Sequence, residues 1–154
     1  MKQALTIRYG IKLPEKMAAT RVAICGLGGL GSNIAIALAR AGIGGLHLID
    51  FDKVDLSNLN RQQYSVHQLG QYKTEALCES LKHIAPYCEV KIDTLCITKE
   101  HIPNLFKEET IICEAFDQPE AKAMLVEGVR ETFPEKYLIA ASNIRISYSP
   151  GTFL

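Results

Sequence analysis

The chain has 154 residues, 47% of them hydrophobic, and its 17 Lys and Arg residues are balanced by 17 Asp and Glu residues. This length and composition predict a single domain with a buried core. The net charge of +0 gives no whole-molecule attraction to anionic surfaces, so we expect neither a nucleic-acid partner nor a membrane partner.

The five cysteines are scattered through apolar runs and form no C-x-x-C pair, which is typical of reduced core thiols and argues against structural zinc. The N-terminus lacks a long apolar region, and no apolar run approaches the ~18 residues of a membrane span. We therefore expect a cytoplasmic protein. The four histidines lack suitably spaced partners, so we expect structural or solvated roles for them.

Strands and helices are predicted to alternate along the chain, which indicates an α/β, Rossmann-like, doubly wound fold with a mainly parallel sheet. Helix 30–44 is closed by Gly42 and Gly44, and helix 71–86 is stopped by Pro86. Segment 99–107 is predicted as a short helix or turn. The predicted strands are 21–26, 45–51, 89–97, 109–116 and 136–142, and the last helix is 118–134. After these, only 144–148 has a strand-like pattern, so we expect a sheet that is truncated at the C-terminus and has an open edge.

The run "CGLGGLGSN" places Gly26, Gly28 and Gly31 in a G-x-G-x-x-G pattern between a strand and a helix, with Gly29 inside it. Glycines let backbone N–H groups approach an anion closely, and the helix N-terminus adds partial positive charge. The pattern predicts a nucleotide phosphate site. The alternative is a tight turn without a ligand.

Asp50 ends the second predicted strand, about 20 residues beyond the glycine turn, where a Rossmann acid accepts hydrogen bonds from ribose hydroxyls. It could instead be a loop acid that caps a turn. These features alone leave both ATP and NAD open.

The polar run "IDFDKVDLSNLNRQQY" at 49–64 favours ATP. A triphosphate needs cations and donors close to the glycine turn, and Arg61, Gln62 and Lys73 are candidates. The pyrophosphate of NAD carries less charge and depends more on backbone amides. The alternative is that Arg61 and Lys73 are solvated surface charges.

Four runs together, "GLGGLGSN", "IDFDKVDLSNLNRQQY", "GQYKTEAL" and "ICEAFD", resemble the ThiF/MoeB family of ubiquitin-activating-enzyme-like adenylyltransferases, and the chain looks closest to the thiamine-pathway ThiF branch. The resemblance covers about 21–142. It implies ATP-dependent adenylation of the C-terminal Gly-Gly carboxylate of a ubiquitin-like, ThiS-like sulfur-carrier protein, with release of pyrophosphate. Homodimers are common in the family.

The resemblance also implies roles for individual residues. Asp50 would hold the ribose, Asp52 would be the second acid of the nucleotide site, and Asp117 would bind Mg²⁺. The implied triphosphate contacts are Asn58, Arg61, Gln62 and Lys73. The implied catalytic set is Arg61, Lys73 and Asp117, although Asp117 could instead cap the next helix.

The domain prediction is an N-terminal segment, 1–20, followed by an ATP-binding ThiF-type domain, 21–154, whose C-terminal part is incomplete because family members usually continue further. Two other functions stay open. One is a nucleotide-binding or carrier-binding module without turnover, and the other is an NAD(P)-dependent oxidoreductase.

Overall fold

The structure, a computed structural model, describes Ile7 and residues 12–140. Within these residues, strands alternate with helices as the sequence predicts. The strands are β1 Arg21–Cys25, β2 Gly45–Ile49, β3 Glu89–Asp93, β4 Ile111–Glu114 and β5 Tyr137–Ala140. The helices are α1 Lys12–Ala19, α2 Gly29–Ala41, α3 Lys73–Ile84, α4 Ile102–Leu105 and α5 Pro119–Thr132, and two short 3₁₀ turns occupy Leu56–Asn58 and Val66–Gln68.

The five strands form one parallel sheet in the order β3-β2-β1-β4-β5. Successive residues of a strand point to opposite faces, so the central strands supply two separate cores. Val22 and Ile24 pack with α2 and α3, whereas Ala23 and Cys25 pack with α4 and α5. The predicted doubly wound Rossmann-like fold is confirmed.

Helix α2 ends where the sequence predicts. Gly42 is its C-cap, with a φ of 98° that residues with a side chain rarely adopt. The Gly42 N–H donates hydrogen bonds to the carbonyl oxygens of Leu38 and Ala39. Helix α1 was not predicted, since residues 1–20 were assigned only as an N-terminal segment. Its Met17 packs against the core that lies between the sheet and helices α2 and α3. The Met17 carbonyl oxygen accepts a hydrogen bond from the Gly44 N–H at 3.0 Å.

Strands β3 and β4 depart furthest from their predicted bounds. Strand β3 ends at Asp93, which pairs with Ile49, the last residue of β2, so the chain beyond Asp93 has no strand to pair with. Strand β4 runs from Ile111 to Glu114 rather than over 109–116, and the side chain of Glu109, just before it, contacts a histidine of β2. The predicted strand 144–148 lies outside the described residues.

All five cysteines are free, and three of them are buried as expected. Cys96 is an exception, because it is exposed beyond the end of β3. None of the described helices has the length and apolar character needed to cross a bilayer.

Candidate functional site

A cavity of about 340 Å³ lies beyond the carboxyl ends of the strands. It sits beside β1, where the order in which strands are added to the sheet reverses. Strands β2 and β3 lie on one side of β1, and β4 and β5 lie on the other. Ligands of open parallel sheets bind at such switch points. The lining of the cavity includes residues from the segments that follow β1, β2, β3 and β4, among them Gly28, Asp50, Asp52, Lys73 and Asp117.

The glycine turn contains two kinds of glycine. Gly26 has a φ of 91°, and a Cβ there would lie 2.9 Å from the Ala115 carbonyl oxygen. A Cβ on Gly31 would lie 1.8 Å from the Gly26 carbonyl oxygen, so these two glycines are needed for the fold. A Cβ on Gly28 would meet only Gln62, at 3.9 Å, and one on Gly29 would meet only the Arg61 side chain, from 3.5 Å. The backbone of Gly28 and Gly29 is therefore the part that a ligand can approach.

This difference predicts contrasting effects of alanine at two neighbouring glycines. Gly31→Ala is expected to destabilise the protein by at least about 1–3 kcal/mol, because backbone atoms of the turn must move apart. Gly29→Ala is expected to fold with near-normal stability, because only the flexible Arg61 side chain lies near its Cβ. Urea unfolding of both variants tests this. Equal stability of the two proteins would contradict the tight turn.

Asp50 is buried and ties the glycine turn to the end of β2. Its Oδ2 accepts the Leu27 N–H at 2.6 Å, and its Oδ1 accepts the Asp52 N–H at 2.7 Å. Burial raises the pKa of Asp50 above its usual value, and the two N–H donors and Lys73 offset this only in part. The predicted ribose acid therefore lines the cavity and also fixes the turn, a role that the sequence did not reveal.

Lys73 is the first residue of α3 and is almost fully buried, with its Nζ 3.0 Å from Asp52 Oδ2. A cation is disfavoured in the first turn of a helix, where the helix dipole is positive. Asp52 is half exposed at the cavity and is the ion-pair partner of the lysine here. A buried lysine in this position is well suited to hold an additional anion.

The segment 57–64, which we call the arginine loop, brings Arg61 and Gln62 to the glycine turn. The Arg61 side chain covers Gly29, and its Nη1 donates to the Ser57 carbonyl oxygen at 3.1 Å and to Asn60 Oδ1 at 3.0 Å. Gln62 is buried beside Gly28, and its Oε1 has no hydrogen-bond partner in the described part of the chain.

Asn58 differs from these two side chains. Its Oδ1 accepts the Asp55 N–H at 3.0 Å and closes a capping box on the 3₁₀ turn, so it shapes the loop from within. The structure thus brings Arg61 and Gln62 to the glycine turn, whereas the Asn58 side chain bonds back to Asp55. The triphosphate contact of Asn58 stays a prediction.

Asp117 follows β4 and is exposed at the cavity. The N-cap of α5 is Gln118, so the alternative that Asp117 caps this helix finds no support. The neighbouring Glu114 is buried. Its Oε1 accepts the Phe116 N–H at 2.7 Å, and its Oε2 lies 3.1 Å from Lys122 Nζ. Glu114 therefore shapes the loop that carries Asp117. No cluster of three or more metal-ligating side chains occurs among the described residues.

Comparison with protein families decides the assignment, because the model of the ThiF family matches residues 2–146. The chain belongs to the ThiF family. The predicted membership of the ThiF/MoeB group is therefore confirmed, and the closer assignment to the thiamine branch stays a prediction.

Named relatives of this ThiF-family chain include two curated enzymes. The chain is 32% identical over 145 residues to the adenylyltransferase and sulfurtransferase uba4 of Aspergillus fumigatus, and this match covers 94% of the chain and 29% of uba4. It is 33% identical over 120 residues to the tRNA threonylcarbamoyladenosine dehydratase of Escherichia coli, covering 77% of the chain and 45% of the relative. The chain thus spans less than half the length of these relatives.

The solved structures agree with the fold. The crystal structure of the E. coli dehydratase, TcdA, in complex with AMP has a TM-score of 0.84 and 30% sequence identity, with 90% of this chain and 56% of that chain covered. The same enzyme in complex with ATP has a TM-score of 0.83 and covers 57% of that chain.

Sequence reasoning missed the apolar wall of the ThiF-family cavity. Phe51, Leu95 and Phe116 line it together with Ile97. Segment 89–97 was predicted to be a strand throughout, whereas Leu95 and Ile97 lie beyond the end of β3 and line the cavity. The available signal was Phe51 itself, a large apolar residue between two acids, which is more than half exposed in the fold.

Proposed function

We propose that this ThiF-family domain provides the nucleotide site of an ATP-dependent adenylyltransferase. Its substrate would be the C-terminal glycine carboxylate of a ubiquitin-like sulfur-carrier protein, and pyrophosphate would be released. One observation carries the proposal: the open glycine turn after β1, two acids and a buried lysine after β2, and a further carboxylate after β4 meet in one cavity.

The residues that line the cavity are chemically suited to ATP. The backbone at Gly28 and Gly29 is open, as a phosphate cradle requires, and the apolar wall with Phe51 suits a flat aromatic base. The unpartnered Gln62 Oε1 is a buried acceptor that a donor on a ligand would satisfy. TcdA, which shares this fold, has been solved with AMP and with ATP.

Asp117 is the residue that we propose for Mg²⁺. Magnesium prefers oxygen ligands and is usually held by one or two carboxylates together with substrate phosphates and water. Asp117 offers an exposed carboxylate at the cavity, which fits this pattern. When bound, the ion would neutralise charge on the phosphates.

The proposed reaction needs positioning and positive charge rather than a protein base. An oxygen of the ionised carboxylate attacks the α-phosphorus, a P–O bond forms, and the bond to the bridging oxygen breaks as its electrons leave with pyrophosphate. No proton has to be removed. Lys73 and Arg61 would offset charge on the phosphates and on the leaving pyrophosphate, and Asp50 would hold the ribose.

For the substrate, we propose a ThiS-like carrier ending in Gly-Gly, in thiamine biosynthesis in the cytoplasm. The finding that supports a carrier is the relative named adenylyltransferase and sulfurtransferase. We also propose a homodimer. Among the described residues, β5 is at one edge of the sheet with Tyr137 and Ile139 exposed, and a second subunit would cover such an edge.

The direct test is exchange of radiolabelled pyrophosphate into ATP by the purified chain with Mg²⁺, with and without a carrier ending in Gly-Gly. We expect exchange that depends on the carrier and on its last glycine. A carrier whose terminal glycine is deleted is the matched control. Stimulation by tRNA in place of the carrier would instead point to a substrate like that named for the E. coli relative.

Other outcomes would decide between the remaining alternatives. ATP binding without exchange, in the presence of a competent carrier, would favour a binding module without turnover. Tight NADH binding that ATP does not displace would contradict the proposal and favour an oxidoreductase.

A further inference from the structure

Exposed polar side chains join helix α2 to the arginine loop. Asn33 Nδ2 donates to the Arg61 carbonyl oxygen at 3.1 Å, and Gln63 Nε2 donates to Asn33 Oδ1 at 2.7 Å. Nearby, the Gln63 N–H donates to Ser32 Oγ at 3.2 Å. The last connection is buried, where the Tyr64 hydroxyl donates to the Leu27 carbonyl oxygen at 2.8 Å.

Asn33 is the centre of this network. Its Nδ2 also donates to the Gly29 carbonyl oxygen at 2.5 Å, so one amide connects the open part of the glycine turn with the backbone of Arg61. Its Oδ1 accepts the hydrogen bond from Gln63 Nε2, which keeps the Asn33 amide from rotating. The α2 backbone and the loop backbone are thereby held at a fixed separation.

The Arg61 side chain needs such support, because the residue is exposed and its guanidinium contacts only its own loop among the described hydrogen bonds. Its aliphatic part lies over Gly29, with Cγ 3.5 Å from where a Cβ on that glycine would stand. The reach of the guanidinium over the glycine turn is therefore set by the position of the Arg61 backbone.

Stability alone gives little reason for the contact between the exposed side chains of Asn33 and Gln63, since a typical hydrogen bond contributes only about 0.5–1.5 kcal/mol. A positioning role is a stronger reason, because a displacement of about 1 Å can reduce the rate of a reaction by roughly 100-fold.

We propose that Asn33 and Gln63 are positioning residues for Arg61. They hold its backbone against Gly29 so that the guanidinium can leave Ser57 and Asn60 and reach the β- and γ-phosphates of ATP. The inference rests on the proposed function. It concerns the phosphates that ATP has and AMP lacks, so it predicts an effect on one nucleotide and not on the other.

The test compares Asn33→Ala, Gln63→Ala, Arg61→Ala and the double variant of Asn33 and Arg61, with Asn104→Ala on α4 as the matched control. Calorimetry measures the affinity of each protein for ATP and for AMP, and the exchange assay gives kcat and KM. We expect Asn33→Ala and Gln63→Ala to weaken ATP binding by roughly 10-fold or more, with AMP binding and the thermal midpoint unchanged. In the Arg61→Ala background, Asn33→Ala should have no further effect.

Two results would overturn the inference. The first is an equal loss of ATP and AMP affinity, which a purely structural role predicts. The second is an undiminished effect of Asn33→Ala when Arg61 is already alanine. If Arg61→Ala itself leaves the preference for ATP over AMP intact, the proposed triphosphate role of Arg61 fails, and this inference fails with it. If Asn33→Ala is unstable, Gln63→Ala keeps the test decisive. It removes the hydrogen bond that holds the Asn33 amide in place and leaves the sequence of α2 unchanged.

Discussion

Lys73→Ala is expected to lower carrier-dependent exchange of pyrophosphate into ATP by roughly 100- to 1,000-fold, the loss typical of removing one preorganised electrostatic contact from an active site. The lysine is almost fully buried and lines the cavity, so water cannot readily replace its charge.

The ion pair with Asp52 increases the expected loss. Without the lysine, Asp52 remains at the cavity as a carboxylate whose ion-pair partner in the described structure is gone. It would then repel the phosphates of ATP. The double variant with Asp52→Asn should therefore recover part of the ATP affinity, while exchange stays low because the cation is still missing.

Lys82→Ala is the matched control, since Lys82 is exposed near the other end of the same helix. Exchange and ATP calorimetry on the three variants separate binding from turnover. Normal exchange by Lys73→Ala would contradict the catalytic role of this lysine.

The sequence predicted the fold and the centre of the site because both depend on local patterns. The strand and helix periods gave the parallel sheet, and the carboxyl ends of parallel strands meet at one edge. The glycine turn, Asp50, Lys73 and Asp117 therefore had to lie near one another once the alternation of elements was right. The family's motifs added their chemical roles.

The sequence did not predict contacts that depend on where two distant segments meet. Leu95 was placed in a strand, because nothing local shows that its partner strand ends at Ile49. No local pattern singles out Asn33 or Gln63, because their contact depends on how the arginine loop crosses α2. His47 was expected to be structural or solvated, and its environment is a long-range feature of the same kind.

His47 lies in the middle of β2 and is buried between two carboxylates. Its Nδ1 is 2.6 Å from Glu109 Oε1, and its Nε2 is 2.7 Å from Asp93 Oδ2. The buried imidazole therefore bridges the two carboxylates, with one ring nitrogen on each. Glu109 is buried as well, and its Oε2 lacks a hydrogen-bond partner in the described structure.

His47→Ala is therefore expected to destabilise the protein by about 3–5 kcal/mol, because it leaves a buried glutamate without its main counter-ion. This corresponds to a fall in thermal midpoint of roughly 6–20 °C for a domain of this size. His83→Ala is the matched control, since His83 is exposed on α3. Unchanged stability of His47→Ala would show that the buried pair contributes nothing.

The pH dependence gives a second measure of the same pair. Burial raises the pKa of Glu109, but the hydrogen bond and the charge of His47 outweigh burial, so the pKa lies below the ordinary value of 4.5. A folded-state pKa that is lowered contributes stability above the unfolded-state pKa, and this contribution disappears as the pH falls below 4.5 and through the folded-state value.

Glu109→Gln keeps the size of the side chain and a hydrogen-bond acceptor but removes the charge. It should be less stable than the parent protein near neutral pH, and the difference should shrink below pH 4.5, as urea unfolding across this range would measure. A difference that stays constant with pH would mean that shape, and not the charge of Glu109, holds His47 in the sheet.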